Sequence, residues 1–589
     1  MNKPAHFVFF LLGVCLVGLL AACTRVTAPT IDRWPTMTAF VATNQAYWNR
    51  GGGASHTPAA VAEVLPTGTL ALDAENTPLP MAKATATPLP PSQYTSLALP
   101  ASLPLALRQA IALPEGVSLH SAAPADLTLT LNAAPALSQW VYALVAPFPT
   151  LTDDVPFDNL RRAWLGETSL PGQPLLMDAE TLALFTAHWG APAAGVVETL
   201  PTDQLLDTAW SRRTTWAIIP FERLQPRWKV LSLDGQSPIH KNFDRQTYPL
   251  TVSFGVIDAQ GNPVMQLPEG WLLPETNRDP NRMTVAVLTG VTALVRGTSN
   301  TMYAKGITYP AQEIGPWLRE ADITHISNEI TFTDDCLKYD TSIVELKFCT
   351  NAEYIGLLEA VDANVIELTG DHFIDQSADA MRYTLDLYHQ RGWLTYGGGA
   401  TLAEGLKAVT LAHNGNQFAF IGCNAKGGGY ALASETNPGA AECDFDQQYA
   451  EVRRLSQEGY IVIATMQHEE IYRHTVSPEV RPDFVGFANA GAAIVQGSQA
   501  HMPQNFEFVG NSLIHYGLGN LFFDQIYELD FNNQPMADKA FIDRHIFYAG
   551  RHISTELLTI QFVDYALSRP MTSAEREAFL RVIFTASGW

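Results

Sequence analysis

Cations are scarce in this chain of 589 residues. Lys and Arg number 36 against 59 Asp and Glu, a formal net charge of -23. A surface of that sign excludes nucleic-acid binding led by backbone phosphates, which needs a basic face. It also leaves any anionic polymer to a local cationic or metal site, not to the bulk surface. Charged residues make up 16% of the chain and hydrophobic ones 47%, which excludes a disordered protein. Long apolar runs are missing apart from Phe7–Leu20, which is short for a spanning helix. Cysteine is limited to six residues, and Cys336, Cys349, Cys423 and Cys443 lack the spacing of a zinc knuckle. Ser498 and Ser512 lack the flanking pattern of a hydrolase nucleophile. What remains is a chain too long for one core, so two or more domains are expected.

The N-terminus reads as a targeting segment over residues 1–22. Lys3 precedes the apolar run, which closes in Leu20-Ala21-Ala22-Cys23. That ending resembles the bacterial lipoprotein box, which implies cleavage before Cys23, lipidation of its thiol and membrane attachment through the lipid. An uncleaved anchor is the alternative, and either way the bulk of the chain is expected outside the cytoplasm, at the cell envelope. Cys15 then leaves with the signal and Cys23 is acylated, so four cysteines remain in an oxidising compartment. Of the three connectivities, the local pairs Cys336–Cys349 and Cys423–Cys443 are expected; free buried thiols are the alternative.

Residues 23–100 are rich in Ala, Thr and Pro and read as a stalk. A first α/β unit is expected over 101–265. Leu127–Leu131 alternates as a strand, Trp140–Ala146 is an apolar run, Phe157–Trp164 reads as a helix and Trp216–Pro220 as a strand. The order Ala146–Thr150, Asp153-Asp154-Val155, Leu160–Gly166 and Tyr248-Pro249-Leu250 weakly resembles a type 2 periplasmic solute-binding domain. Arg212 and Arg213 are its candidate anion-holding pair, against a plain solvated surface. A Pro, Gly and Asn-rich connector follows, with its core at 266–282. From 283 to 589 strands alternate with helices, which implies a mainly parallel sheet. The clearest helix is Ala378–Gln390, with Met381, Leu385 and Tyr388 on one face; others are expected at Gln312–Glu320, Val452–Glu458 and Asp483–Asn489.

Four stretches in this last region each follow a short apolar run: Glu329; Thr369-Gly370-Asp371-His372; Gln467-His468-Glu469-Glu470; and Gly497-Ser498-Gln499-Ala500-His501. Residues just past the carboxyl ends of parallel strands share one crevice. Carboxylates and imidazoles meeting there offer the O and N donors that divalent cations take.

Seven segments in order, Leu288-Thr289-Gly290-Val291, Ala321-Asp322 through Ser327-Asn328-Glu329, Gly370-Asp371-His372 with Asp375, Tyr396–Gly399, Gln467–Glu470, Gly497–His501 and Tyr516–Asn520 with Phe523-Asp524, resemble the CapA-type capsule synthesis (poly-γ-glutamate) family. The resemblance implies a calcineurin-like metallophosphoesterase-type α/β sandwich, preceded by the solute-binding-like α/β domain. It also implies ligands for a divalent metal (Mn, Zn or Mg) at Glu329, Asp371, His468 and His501. His372 is the implied proton donor, with Asn328, Gln499 and Asn520 lining the site. Asp371 stands for the family's Asn, Glu469 and Glu470 replace its Trp and Gly, and two ligand positions are lost. Val291 stands where the family has Asp, and Gln499 where it has His. A two-cation centre needs several ligands for each metal, so one ion or none is expected.

Two readings follow. One is metal-assisted hydrolysis or transfer at an anionic ester or amide. The other is a non-catalytic module that binds an anionic polymer or the capsule machinery. Asp375 reads as the cap of the helix starting near Gln376, and Gly397–Gly399 as a turn able to cradle phosphate.

Overall fold

The structure, a computed structural model, describes residues 94–339, 347–427, 429–526 and 537–589. The signal segment, Cys23 and the stalk up to Gln93 lie outside the described residues. Among these, no helix is long and apolar enough to cross a membrane.

The first lobe is built on a ten-stranded mixed sheet. Its spine is the antiparallel pairing of Ser138–Pro147 with Thr251–Asp258, Ala217–Pro220 and Trp228–Leu233. Leu127–Leu131 and Phe157–Trp164 form the expected strand and helix. The stretch Ser96–Ala98, placed in the stalk on composition, is instead a strand paired in parallel with Ser118–His120 and Leu127–Leu131. The connector is stitched to this lobe as well. Asn277 bonds both backbone groups of Val141, and Trp271 is buried in the lobe's core.

The second lobe is an α/β/β/α sandwich. One sheet runs Leu394–Tyr396, Val365–Glu367, Ile323–Asn328, Met283–Thr289, Lys539–Tyr548, Arg551–Phe562 and Ser568–Pro570. The other runs Val409–His413, Asn416–Asn424, Ile461–Gln467, Ile494–Ser498, Ser512–His515 and Phe506–Val509. Alternation along the strands assembles the layers, because successive side chains point to opposite faces. Ala286, Leu288, Ile461 and Ile463 meet between the sheets. Their neighbours Val287, on one sheet, and Val462 and Ala464, on the other, face the outer helices instead. The helix Ala378–Gln390 packs Met381, Leu385 and Tyr388 against the first sheet. On the far side Phe445–Gln457 and Arg481–Ala490 cover the second.

Several helix expectations shift at their ends. Gln312–Glu320 shortens to Gly315–Arg319 after a 3-10 turn at Tyr309–Ala311. Val452–Glu458 begins a further two turns earlier, at Phe445, where the Asp444 side chain caps the Gln447 N–H. Ser377, not Asp375, caps the helix that starts at Ala378. Both disulfides form as the local pairs Cys336–Cys349 and Cys423–Cys443.

The lobes share an interface. Phe148 of the first packs edge-on against Phe506, Phe508 and Trp589 of the second. Asp153 takes a two-pronged bond from Arg576 and pairs with Lys229. His240 lies 2.7 Å from Glu556.

Candidate strand-end site

The central strands of both sheets of the second lobe end side by side. Ile323–Asn328, Val365–Glu367 and Leu394–Tyr396 run parallel in one sheet, and Asn416–Asn424, Ile461–Gln467 and Ile494–Ser498 in the other. Their carboxyl ends deliver Glu329, Asp371, Lys426, Gln467 and Gln499 to one place. Two glycines are required for this convergence. A Cβ on Gly370 would collide with Cα and Cβ of Glu329, and one on Gly290 with the Gly519 carbonyl. Gln499 and His501 both hold left-handed backbone, φ 73° and 53°. Non-glycine residues held there cost of order 1–3 kcal/mol each and cluster at functional sites.

Glu329 is 3% exposed and Asp371 7%. The Gln467 amide nitrogen lies 3.2 Å from both Glu329 Oε2 and Asp371 Oδ1, and also contacts Gln499 Oε1. The other Asp371 oxygen lies 2.8 Å from Lys426 Nζ, which also reaches Glu470 Oε2 at 3.2 Å. Burial pushes the Glu329 carboxyl up to about 8, with the His372 charge opposing and the Asp371 charge assisting. It is therefore largely protonated at neutral pH.

His372 and Asp375 form a dyad, Nδ1 to Oδ2 2.6 Å, so Asp375 orients the ring and does not cap a helix. Asp375 also accepts the Phe348 N–H, and the Phe348 ring lies 4.2 Å from the imidazole. Burial lowers the proton affinity of His372. The Asp375 hydrogen bond and the Glu329 and Asp371 charges outweigh it, so the net shift is upward. His372 Nε2 lies 3.8 Å from Asp371 Oδ1. His501 is held through Nδ1 by Asn520 Oδ1 at 3.0 Å, and burial takes it down to about 4. Asn520 in turn donates to the Gln525 carbonyl. Asn328 faces elsewhere, donating to the Ile330 carbonyl and the Tyr388 hydroxyl.

His468 is placed differently. Its Nε2 pairs with Asp483 Oδ2 on the outer helix at 2.9 Å, and the ring stacks on Phe484. Glu469 is engaged by Ser477. Val291 sits in an apolar cluster with Ala293, Val295, Ile330, Phe348 and Phe523. Among the described residues, no group of three or more His, Cys, Asp or Glu is arranged to hold a metal ion.

These observations decide whether the implied metal centre fits. At Asp371 one oxygen is bonded to an ammonium and the other to an amide N–H. Where the resemblance implies an Asp the chain has Val291, packed in apolar surroundings, and His468 is bonded to Asp483. The donor set does not fit a two-cation centre.

Outside this place, two further candidates resolve into structure. Gly398–Gly399 pairs antiparallel with Gly439–Ala440, and a Cβ on Gly398 would strike the Leu368 and Gly439 carbonyls, so that glycine run serves packing. Arg212 is bonded by both prongs to Glu198, and Arg213 lies over the Trp210 ring. The residue that motif reading missed is Lys426. Its only sequence signal is a lysine just past a strand end, followed by Gly427-Gly428-Gly429.

Residues 285–525 match the family model described as bacterial capsule synthesis protein PGA_cap. The chain is 24% identical over 225 residues to the PGA biosynthesis protein CapA of Bacillus subtilis (strain 168), covering 38% of this chain and 58% of that protein. It is 21% identical over 257 residues to the capsule biosynthesis protein CapA of Bacillus anthracis, covering 43% and 62%. The matched part thus spans about three fifths of either relative. Among solved structures, the 5'-nucleotidase precursor from Thermus thermophilus aligns with a TM-score of 0.28 at 12% identity, over 52% of this chain and 58% of that one.

Proposed function

We propose, from the premise that residues 285–525 carry a CapA-type capsule synthesis domain, that this protein handles capsule or exopolymer material of the poly-γ-glutamate kind at the cell envelope. In this reading it is a binding or assembly module whose strand-end site works without a pair of metal ions. One observation carries it: an ammonium and an amide N–H already satisfy the Asp371 carboxylate that a metal would have to recruit. His372 and Lys426 remain part-exposed, 14% and 27%. Their N–H groups can donate to the carboxylates of such a polymer, within a cluster whose own carboxylates balance their charge.

The test is calorimetry of the purified full chain with short poly-γ-glutamate. Saturable binding is expected, weakened about tenfold by His372→Ala, which is about 1.4 kcal/mol. Absence of binding heat would contradict the reading. The envelope location rests on the lipoprotein-type ending at Cys23, and Cys23→Ser is expected to move the protein from the membrane to the soluble fraction.

A second reading is metal-assisted hydrolysis or transfer, with one Mn, Zn or Mg ion on Glu329, Asp371, His501 and His468 and with His372 as acid. The His372–Asp375 dyad favours it, because that hydrogen bond sets the ring for proton transfer. Release of glutamate or phosphate that begins on adding Mn²⁺ and stops on chelation would establish this second reading in place of the first.

A further inference from the structure

We infer that the Lys426 ammonium is the resident cation of the strand-end site, balancing charge that a divalent ion would otherwise balance, so that removing it opens the site to such an ion. The inference deepens the metal-free reading above and rests on it.

The first support is how Lys426 is held. It follows the strand Asn416–Asn424 directly, and the backbone N–H groups of Ala425 and Lys426 both donate to the Gln467 carbonyl. Asn424 fixes the turn from three sides. Its amide donates to the Thr369 carbonyl and to Gln467 Oε1, and its Oδ1 accepts from the Gly427 N–H. The base of this lysine is therefore tied to the ends of three strands.

The second support is what surrounds the ammonium. Asp371 and Glu470 bind it from two different strand ends, and Glu329 stands buried behind Asp371. Carboxylates gathered this closely cannot all ionise without a positive partner. Glu470 is held in place as well, accepting from the Tyr472 hydroxyl and from the Gln525 amide.

The third support is the donor set left when the ammonium is taken away. Asp371 Oδ2 and Glu470 Oε2, the two oxygens that share the ammonium, lose their partner. Carboxylate oxygens left facing one place are donors that hard divalent cations such as Mn take. In the natural chain the competing cation is covalently attached and always present, whatever the metal supply.

The test compares the full-length protein with Lys426→Met, which keeps the stem and removes the charge, and with Lys426→Arg, which keeps the charge. Metal content after equilibrium dialysis against Mn²⁺, and thermal unfolding with and without Mn²⁺ or a chelator, are the readouts. The natural protein and Lys426→Arg are expected to hold Mn²⁺ far below one equivalent, with a Tm that neither Mn²⁺ nor the chelator moves. Lys426→Met is expected to melt several degrees lower, to bind about one equivalent and to regain most of its Tm with it. A Lys426→Met protein that is as stable as the natural one, or that stays metal-free, overturns the inference while leaving the metal-free reading in place. One tightly held ion in the natural protein, with a Tm that falls on chelation, overturns both. If Lys426→Met does not fold without Mn²⁺, its folding in the presence of Mn²⁺ supports the inference, and failure in both conditions counts against it.

Discussion

The two lobes treat buried charge in opposite ways. In the first, Arg278, bonded to the Pro238 and His240 carbonyls, is the one charged or His residue buried among the described residues from 94 to 282, and the core is mainly Leu, Val, Ile and aromatic side chains. The sandwich buries Glu329, Glu367, Asp371 and Asp543 along with His325, His501, His515, His545 and His552. Taking ionisable groups out of water is expensive, and it is repaid only where partners are placed for them. The first lobe is thus held mainly by apolar packing, whereas the sandwich carries that cost along its strand ends and between its sheets.

The largest effect is expected on removing one member of a buried pair. His515 and Asp543 lie 2.6 Å apart, each 1% exposed. Asp543→Ala is expected to cost about 3–5 kcal/mol, read from urea unfolding. Leu144→Ala in the first lobe should cost about 2–5 kcal/mol through the cavity it leaves. The contrast lies in the repair. Asp543→Leu combined with His515→Phe should recover most of the loss, because an apolar pair of similar volume replaces a buried hydrogen-bonded pair at little cost.

A smaller effect separates the two carboxylates of the site. Glu329 is largely protonated at neutral pH, so Glu329→Gln, which mimics that form, is expected to change stability by less than about 1 kcal/mol. Asp371→Asn removes the nearer of the two carboxylates on the Lys426 ammonium and should cost about 1–3 kcal/mol. Equal losses at the two positions would contradict the charge assignment.

The smallest effect is at the lobe interface, where pH provides the probe. Burial lowers the proton affinity of His240, but the Glu556 hydrogen bond and charge outweigh it, so His240 titrates above its ordinary value. A raised His contributes stability that is fully present below its unfolded pKa, about 6.5. That stability is lost as pH rises through the folded value. Burial raises Asp153, yet Arg576 and Lys229 hold it below the usual carboxylate range. Its contribution is present above about pH 3.9 and is lost as pH falls through the folded value. Thermal melts of His240→Ala should therefore fall furthest below the natural protein near pH 5–6 and close the gap toward pH 9.

Much of this architecture is legible in the residues. The strand Leu127–Leu131 and the helices Phe157–Trp164 and Ala378–Gln390 follow from period and composition. The ordered motifs place Glu329, Asp371, His372 and Gln499 at strand ends. Long-range partnership was not legible. Nothing local to Asp375 says that its carboxylate goes to His372 rather than to a helix N-terminus, where Ser377 stands two residues later. His468 lies in the right motif, but Asp483 on a helix beyond it takes the imidazole. Lys426 belongs to no expected motif, and only folding brings it to Asp371 and Glu470. The start of the helix at Phe445 was hidden for a local reason, since a Cys-Asp cap with polar residues through its first turn weakens the apolar period there.

The most direct measurement is the metal content of the purified full-length protein, taken before and after chelation together with its Tm. Mn, Zn and other divalent ions well below one equivalent, with an unchanged Tm, is the predicted result. One or two tightly bound ions whose removal lowers the Tm would contradict the account.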